Sequence, residues 1–267
     1  MNLTLDIGNT AVKWATFEGR SLVESGKWHP EGELNTLEKK KNVVKKVENE
    51  ATENIGGTQT TNCLPPATNI DRAMVCASGE NPEVVSMLST FRIPFSTLTS
   101  STPLPIKLDY KTPETLGADR IADACGAVSL HPGEACLVID AGTCITVDFV
   151  DAAGVYHGGA IMPGLQMNLQ ALHTFTAKLP LIDLEGVEKA PVLGRSTEES
   201  ILAGTLGATL LALAGFVTLY KEKSPDLRVI LTGGDAERLM ASGAGGWEHM
   251  PHLTLIGLNE ILIYNEK

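Results

Sequence analysis

The sequence predicts an α/β protein built from two similar lobes, and three observations lead to this prediction. An apolar strand that ends in Asp, one further residue and Gly occurs twice, about half a chain apart. Segments typical of strands and of helices alternate around and after each copy. The chain has 267 residues, of which 43% are apolar, and this is enough for two domains of ordinary size. We place the lobes at residues 1–116 and 117–267, with the proline-containing stretch 94–113 just before the boundary.

The first copy spans residues 3–13. Apolar and polar residues alternate over 3–7, which predicts a strand with one buried face, and a second strand is predicted over 12–17. The Gly-Asn-Thr between them suits a hairpin, because Gly and Asn tolerate positive φ. If the hairpin binds phosphate, backbone N–H groups hold the anion, Lys13 adds a positive charge and Asp6 faces Mg²⁺. The alternative is a plain surface hairpin whose turn begins with Asp.

The second copy, at residues 137–149, has the same layout and favours the phosphate-binding interpretation. Here an apolar strand ends in Asp, a small residue, Gly and Thr, and a strand rich in β-branched residues follows. Two such lobes would each present one hairpin to a shared cleft. The copies pair Asp6 with Asp140, Gly8 with Gly142 and, if one residue is dropped from the second turn, Thr10 with Thr143.

Composition limits the function. The formal charge of −11 argues against a nucleic-acid partner, which needs a basic surface, but not against a nucleotide. Five cysteines, an odd number without a CxxC pair, are expected to be free thiols in the reducing cytoplasm. The first residues lack the basic start and apolar core of a secretory signal. We therefore expect a cytoplasmic protein.

One apolar segment, residues 201–220, contains no charge and is long enough to span a bilayer. It is rich in Ala, Gly and Thr, and we expect a helix buried on all sides rather than a membrane span. The other elements follow from periodicity and turn residues. They are a charged helix at 33–53, a polar loop at 51–69, a strand at 72–78, helices at 82–90 and 118–131, a strand at 155–162, a helix at 164–177, an irregular stretch at 179–194, a strand at 226–231 and a last amphipathic helix.

With these motifs in hand, the sequence resembles the type III pantothenate kinases, of the acetate and sugar kinase, Hsp70 and actin superfamily. The resemblance covers nearly the whole chain, and the motifs occur in the family's order. The polar stretch at 39–62 is unlike the tighter helix and loop that are usual in relatives. The motifs are Asp6-Ile7-Gly8-Asn9-Thr10 with Lys13, Gly117-Ala118-Asp119-Arg120, Asp140-Ala141-Gly142-Thr143, and Gly158-Gly159-Ala160-Ile161-Met162-Pro163-Gly164.

The resemblance implies an actin-like ATPase fold of two ribonuclease H-like lobes, with ATP in the cleft between them. It implies phosphorylation of pantothenate to 4'-phosphopantothenate, the first step of coenzyme A synthesis, by a homodimer that uses Mg²⁺ and a monovalent cation, K⁺ or NH₄⁺. Asp119 would be the general base and Asp140 the monovalent cation ligand, with Asp6 facing Mg²⁺. The implied substrate contacts are Tyr110, Gly117, Ala118, Asp119, Arg120 and Thr197. The implied ATP contacts are Asp6, Ile7, Gly8, Asn9, Thr10, Ala11, Val12, Lys13 and Thr143.

Some of these residues have plainer explanations. Asp119 can simply favour the first turn of a helix through the helix dipole. Ser196 or Thr197 can cap the next helix, with Glu199 completing a capping box with Ser196. The Gly-Gly-Asp turn that ends at Asp235 can be an ordinary strand-to-helix turn, although in the superfamily such a turn lies against the adenosine.

Two other functions remain open from the sequence. The first is a sugar or acetate kinase of the same superfamily, which would share the hairpins but lack Gly-x-Asp-Arg at this place. The second is a non-catalytic regulator on the same fold, which would be expected to lose Asp6 or Asp119. Both aspartates are present. We therefore favour the pantothenate kinase, with ATP and pantothenate as its ligands and no nucleic-acid or membrane partner.

Overall fold

Two β-sheets dominate the computed structural model, which describes residues 1–8, 11–28, 69–77, 82–187 and 189–266. The first sheet has the order β3-β2-β1-β4-β5. Its first three strands are antiparallel, and β4 and β5 run parallel to β1. The strands are β1 (Asn2–Ile7), β2 (Val12–Glu18), β3 (Ser21–Trp28), β4 (Arg72–Ala77) and β5 (Phe95–Thr97).

The second sheet repeats this order with one added strand, as β11-β10-β7-β8-β9-β6. The pairs β7–β8 and β8–β9 are antiparallel, whereas β10 and β11 run parallel to β7. The added strand β6 is parallel to β9. The strands are β6 (Lys107–Leu108), β7 (Cys136–Ala141), β8 (Cys144–Val150), β9 (Val155–Pro163), β10 (Arg228–Thr232) and β11 (Glu248–His249).

The repeated order confirms the predicted fold class of two similar ribonuclease H-like lobes. In both sheets a meander of three antiparallel strands is extended by two parallel strands on the side of its first strand. The predicted hairpins are the first two strands of each meander, β1–β2 and β7–β8.

Seven α-helices lie in the described part of the chain. The predicted helices at 82–90 and 118–131 are found with nearly the expected bounds, and the helix expected at 164–177 is shorter. A 3₁₀ turn at Pro113–Thr115 precedes α2, and a π-helical segment at Ala203–Gly207 joins α4 to α5. The helices are α1 (Pro82–Thr90), α2 (Ala118–Leu130), α3 (Leu165–Thr174), α4 (Thr197–Leu202), α5 (Ala208–Lys223), α6 (Ala236–Ser242) and α7 (Leu253–Tyr264).

The chain forms two compact units that interleave in sequence. The first contains residues 1–105, 112–126 and 254–267, and the second contains 106–111 and 127–253. The division into lobes at residues 1–116 and 117–267, predicted from the sequence, stays a proposal. The helix predicted at 33–53, the polar stretch at 39–62, almost all of the predicted loop at 51–69, and Cys63 lie outside the described residues.

Strand β1 differs from its prediction because both of its faces are buried. Leu3 and Leu5 are fully buried, as the alternation predicts, but Thr4 on the other face is fully buried as well. The Thr4 hydroxyl donates to the Ala15 carbonyl at 3.4 Å. Because Thr4 is buried, its hydroxyl is hydrogen-bonded inside the protein instead of facing water.

The expectation of a helix buried on all sides at 201–220 is wrong. In α5 the buried residues, Thr209, Leu213 and Val217, recur every four positions and form one face. Leu211 is 77% exposed and Leu219 is 58% exposed on the other faces. The absence of charge therefore does not reflect complete burial.

The same stretch is long and apolar enough to cross a membrane. Thr197–Lys223 has a mean hydropathy of 1.9 in its most apolar part, of which 39% is buried. A single helix of this kind is weak evidence for a membrane span, because core helices of folded domains have similar length and composition.

The last helix, α7, is not amphipathic as predicted but is buried nearly all round. Its polar residues are paired inside the first unit. Asn259 accepts a hydrogen bond from Asn2 at 2.8 Å, and Glu260 binds Arg20 at 2.7 Å. These internal hydrogen bonds offset the free-energy cost of burying the polar groups. The pattern of apolar residues in the sequence does not reveal such pairing.

Candidate active site

The first hairpin has the geometry that the sequence predicts. Asp6 lies directly opposite Lys13 in the β1–β2 ladder, and Ile7 lies opposite Val12. Four residues connect the last pair, and the Gly8 N–H donates to the Ala11 carbonyl at 3.1 Å. The remaining two predicted phosphate contacts, Asn9 and Thr10, lie outside the described residues.

The charge of Asp6 depends on its surroundings. Burial raises the pKa of the Asp6 carboxyl, the Lys13 ammonium lowers it, and the nearby Asp119 carboxylate raises it again, with a net upward shift. Positive charge next to Asp6 therefore favours its ionised form. Asp119, in the Gly-x-Asp-Arg motif of the same unit, thus acts electrostatically on the Asp6 carboxyl.

The Gly-x-Asp-Arg motif forms the start of helix α2. Asp119 is in the first turn, as the dipole explanation requires, and its carboxylate accepts the Arg120 N–H at 2.8 Å. Gly117 leaves room for this carboxylate, because a Cβ there would lie 2.4 Å from an Asp119 oxygen. Asp119 is exposed, while Arg120 is only 5% exposed. The helix-start position thus leaves the Asp119 carboxylate accessible to a substrate.

A third carboxylate, Asp123, was missed by the sequence analysis. It lies one helical turn after Asp119, is almost fully buried, and accepts the Thr254 hydroxyl at 2.7 Å. Burial, followed by the charges of the three carboxylates, raises the pKa of the Cys76 thiol well above its usual range. The four-residue spacing within α2 is the signal that would have placed both of its aspartates on one helix face. The three carboxylates are Asp6, Asp119 and Asp123.

The second hairpin repeats the first with one residue fewer, as predicted. Ala141 pairs with Ile145, so three residues connect the strands, and the Gly142 N–H donates to the Cys144 carbonyl at 3.0 Å. Asp140 is half-buried at the end of β7, and Thr143 is exposed in the turn. The exposed Thr143 is thus available to a ligand at this turn.

Two glycine turns pack against this hairpin. The Gly164 N–H donates to the Thr143 carbonyl at 3.0 Å, and a Cβ at Gly164 would lie 2.3 Å from the Gly142 carbonyl oxygen. Gly233 has a φ of +95°, and a Cβ there would lie 2.4 Å from both the Ala141 carbonyl oxygen and an Asp140 carboxylate oxygen. The Gly-Gly-Asp turn is therefore in direct contact with the cation-ligand candidate.

Thr146 is a second residue that the sequence analysis missed. It lies opposite Asp140 in the β7–β8 ladder, the position that Lys13 takes opposite Asp6 in the first hairpin. Thr146 is 8% exposed, and its hydroxyl has no hydrogen-bond partner among the described residues. Because directly opposed residues project on the same face of a sheet, this hydroxyl and the Asp140 carboxylate share one face.

The other predicted substrate contacts, Tyr110 and Thr197, belong to the second unit. The centroids of the Tyr110 and Tyr156 rings lie 5.9 Å apart. A Cβ at Gly158 would lie 3.0 Å from the nearest atom of the Tyr110 ring. Thr197 is exposed at the first position of α4. The substrate residues proposed from the motifs are thus divided between the two units, since Gly117 to Arg120 belong to the first.

The predicted cap of helix α4 is found in part. The Ser196 hydroxyl accepts the Glu199 N–H at 3.1 Å, as expected. The Glu199 carboxylate does not return to Ser196 but accepts the Arg195 N–H at 2.6 Å. The capping box is therefore displaced by one residue, because the carboxylate reaches the preceding backbone N–H. Thr197 is not needed for the cap.

Comparisons with known proteins identify the family of this chain. A family model described as type III pantothenate kinase matches residues 2–219. A type III pantothenate kinase of Bacteroides fragilis is 40% identical over 99% of this chain and 98% of its own length. One of Phocaeicola vulgatus is 36% identical over the full length of both chains.

Solved structures support the fold. A Campylobacter jejuni protein, described as a conserved candidate Baf family transcriptional activator, superposes with a TM-score of 0.58 at 18% identity. The match covers 99% of this chain and 98% of that one. At this level of identity the likeness concerns the fold alone. The family model and the curated relatives, which span the full length, show that the chain belongs to the type III pantothenate kinase family.

Proposed function

We propose that this protein transfers the γ-phosphoryl group of ATP to the 4'-hydroxyl of pantothenate, the first step of coenzyme A biosynthesis. Family membership supports the reaction, and one observation in the first unit carries the assignment of residues. The exposed Asp119 carboxylate lies close enough to Asp6 of the phosphate hairpin to influence its ionisation. A hydroxyl bound at Asp119 would therefore be near a phosphate bound at the hairpin.

Each hairpin is proposed to contact ATP. Phosphoryl transfer asks a protein mainly for positioning and for stabilisation of charge on the transferred group. Backbone N–H groups of the first turn and the Lys13 ammonium meet that need, as does the exposed turn that holds Thr143. The proposed ATP contacts are Asp6, Ile7, Gly8, Asn9, Thr10, Ala11, Val12, Lys13 and Thr143.

Pantothenate is proposed to bind at the start of α2. Asp119 would accept the proton of the attacking hydroxyl, a role open to a carboxylate within hydrogen-bond reach. Arg120 would hold the substrate carboxylate through a charge-assisted pair. Arg120 is only 5% exposed, so its side chain has little conformational freedom to lose when substrate binds. Tyr110, Gly117, Ala118 and Thr197 complete the proposed contacts.

Two cations are proposed. Asp6 would face Mg²⁺, and the upward shift of its pKa fits a carboxylate that is best ionised beside a cation. Asp140 would hold a monovalent cation, K⁺ or NH₄⁺. The residues present fit this ion, because the Thr146 hydroxyl on the same sheet face supplies a second oxygen and has no hydrogen-bond partner in the described part of the chain. Such cations neutralise the charge that polyphosphate brings to two carboxylates.

We also propose a cytoplasmic homodimer without a nucleic-acid or membrane partner. The exposed leucines of α5 form an apolar surface that a second copy would cover. The formal charge of −11 disfavours nucleic acid. The cysteines within the described ranges, Cys76, Cys125, Cys136 and Cys144, are all free thiols, as suits a reducing compartment.

An ADP-release assay tests the proposed function. The purified protein is given Mg-ATP with pantothenate, with a panel of sugars or with no acceptor, each in the presence and absence of K⁺. We expect turnover that depends on both pantothenate and K⁺. Turnover with sugars alone would contradict the proposal in favour of a sugar kinase. No turnover by folded protein with any acceptor would support the non-catalytic alternative.

A further inference from the structure

Away from both hairpins, His157 of the second unit is held between two carboxylates. Its Nδ1 lies 3.1 Å from an Asp109 oxygen, and its Nε2 lies 2.9 Å from an Asp151 oxygen. The His157 ring also stacks on Phe149, with ring centroids 5.8 Å apart. The two carboxylates come from different segments, since Asp109 follows β6 and Asp151 follows β8. His157 therefore joins two parts of the sheet edge.

A β-bulge accounts for the direction of this side chain. In the β8–β9 ladder Phe149 pairs with Gly158. The next pair joins Val150 to Tyr156, so His157 is the extra residue. A bulge interrupts the regular alternation and re-aims a side chain. Gly158 permits the bulge, because its φ of +89° is one that residues with a Cβ rarely adopt.

The joined segment carries Tyr110. Residues 106–111, which we call the β6 segment, pair with β9 at only two positions of the ladder. One further backbone bond follows, from the Asp109 N–H to the Tyr156 carbonyl at 2.8 Å. Tyr110 comes next, with its ring against Gly158. The position of the Tyr110 ring thus depends on how firmly a very short edge strand is attached to β9.

We propose that His157 is a positioning residue that fixes the β6 segment to β9 and so holds Tyr110 where pantothenate binds. This inference rests on the proposed contact between Tyr110 and pantothenate. His157 itself does not need to touch the substrate. The hydrogen bond to Asp109 is its link to the β6 segment, and the bond to Asp151 together with the Phe149 ring fixes the imidazole from the other side.

The link depends on protonation. A protonated imidazole donates from both ring nitrogens, whereas a neutral one has a single N–H and can donate to only one of the two carboxylates. The hydrogen bond to Asp151 raises the pKa of His157, burial lowers it, and the bond to Asp109 raises it further, with a net upward shift. Asp151 and Asp109 are the charged groups that act on the ring, and Phe149 is uncharged. The link is complete at low pH and weakens as pH rises through this raised pKa.

The experiment compares wild-type protein with His157→Gln and His157→Arg, and uses His173→Gln as a control at another exposed histidine. The KM for pantothenate and kcat are measured at saturating Mg-ATP from pH 6 to 9. We expect the wild-type KM for pantothenate to rise with pH. At pH 6 the KM of His157→Gln should be about tenfold higher than that of wild type, which corresponds to a loss of about 1.4 kcal/mol in binding free energy. His157→Arg, which stays charged, should keep a low KM throughout. kcat should change little in all four proteins.

Hydrogen exchange of the backbone amides in residues 106–111 provides a readout that does not require substrate. We expect faster exchange in His157→Gln than in wild type at pH 6, and no change in His173→Gln. If His157→Gln lowers only the melting temperature, with the pantothenate KM and the exchange at 106–111 unchanged, the positioning role is overturned. Failure of the proposed function would instead appear as wild-type protein without pantothenate-dependent turnover, and the exchange measurement would still decide the role of His157.

Discussion

Thr146 lies directly opposite Asp140 in the β7–β8 ladder, and its buried hydroxyl has no hydrogen-bond partner among the described residues. In the first hairpin the corresponding position is occupied by Lys13, whose ammonium lowers the pKa of Asp6. The two repeats thus place different groups beside equivalent aspartates. One has a built-in cation, and the other has an oxygen that can help bind a cation from solution.

Thr146→Val is therefore expected to weaken binding of the monovalent cation. The substitution keeps the shape of the side chain and removes the hydroxyl, and one lost ligand corresponds to about tenfold in affinity if it contributes about 1.4 kcal/mol. The measurement is the rise in melting temperature on exchange of tetramethylammonium chloride for KCl, together with the K⁺ concentration that half-activates the enzyme. Thr4→Val, at another buried strand threonine, is the control. An unchanged K⁺ response in Thr146→Val would remove Thr146 from the site.

Gly233→Ala is expected to destabilise the second unit. The φ of +95° and the 2.4 Å approach to the Ala141 carbonyl oxygen leave no space for a methyl group, and strain of this kind costs about 1–3 kcal/mol. We expect a lower melting temperature and a higher KM for ATP, because the turn would move away from the hairpin. Gly234→Ala is the matched control for stability, because a Cβ there meets no atom within 4 Å. Equal melting temperatures for the two variants would contradict the packing described.

Asp6→Asn is expected to stabilise the fold while abolishing activity. The pKa of Asp6 is raised in the folded protein, so ionising it opposes folding as pH rises above the unfolded value of about 3.9. Above the pKa of folded Asp6, the full free-energy cost of ionising this buried carboxyl destabilises the wild-type protein. The Asn side chain of the variant is uncharged and has no such cost. We expect a higher melting temperature than wild type at pH 7.5 without nucleotide, by about 2–4 °C for each kcal/mol recovered. The difference should disappear as pH falls towards the unfolded value.

Asp71→Asn is the matched control, because the pKa of Asp71 is lowered in the folded protein whereas that of Asp6 is raised. The N-terminal ammonium lowers the pKa of the exposed Asp71 carboxyl through a 2.6 Å hydrogen bond and ion pair. This substitution should lower the melting temperature slightly or leave it unchanged. If Asp6→Asn instead melts below wild type at pH 7.5, ionised Asp6 stabilises the fold and the stated balance of burial and charge is wrong.

Leu211→Glu is expected to dissociate the proposed homodimer. Leu211 is 77% exposed on α5, and a charge within an apolar interface is costly unless it is paired. Sedimentation at micromolar concentration should show a dimer for wild type and a monomer for the variant. Val23→Glu, at a half-exposed valine of β3 in the first unit, should remain a dimer. A wild-type monomer under these conditions would contradict the proposal directly.

The parts of the fold that the sequence predicts well are those whose signal is local. The hairpin at Gly142 and the strand at Leu137 follow from turn chemistry and apolar runs within a few residues. Strand β3 is different, because it contains polar residues and Gly26. A Cβ at Gly26 would lie 2.5 Å from the Trp14 ring, so this glycine is explained by a tryptophan in the neighbouring strand and not by its own segment.

The candidate site divides in the same way. Asp6 and Asp140 stand out because each ends an apolar strand before a glycine turn. The role proposed for Thr146 depends on which residue lies opposite it, and the role proposed for His157 depends on a bulge. Both features become visible only when strands are paired. The exposed face of α5 was mispredicted because the absence of charge in a sequence does not reveal which faces of a helix the protein core covers.

The kcat of Asp119→Asn decides the claim that Asp119 is the general base. The amide keeps the size and hydrogen-bonding reach of the side chain but cannot accept the hydroxyl proton, and base catalysis contributes about 10²–10⁴-fold. We predict a fall in kcat of that order with unchanged affinity for ATP. Arg120→Ala should instead mainly raise the KM for pantothenate. A folded Asp119→Asn protein with a kcat within a few-fold of wild type would contradict the claim, because proton removal would then occur elsewhere.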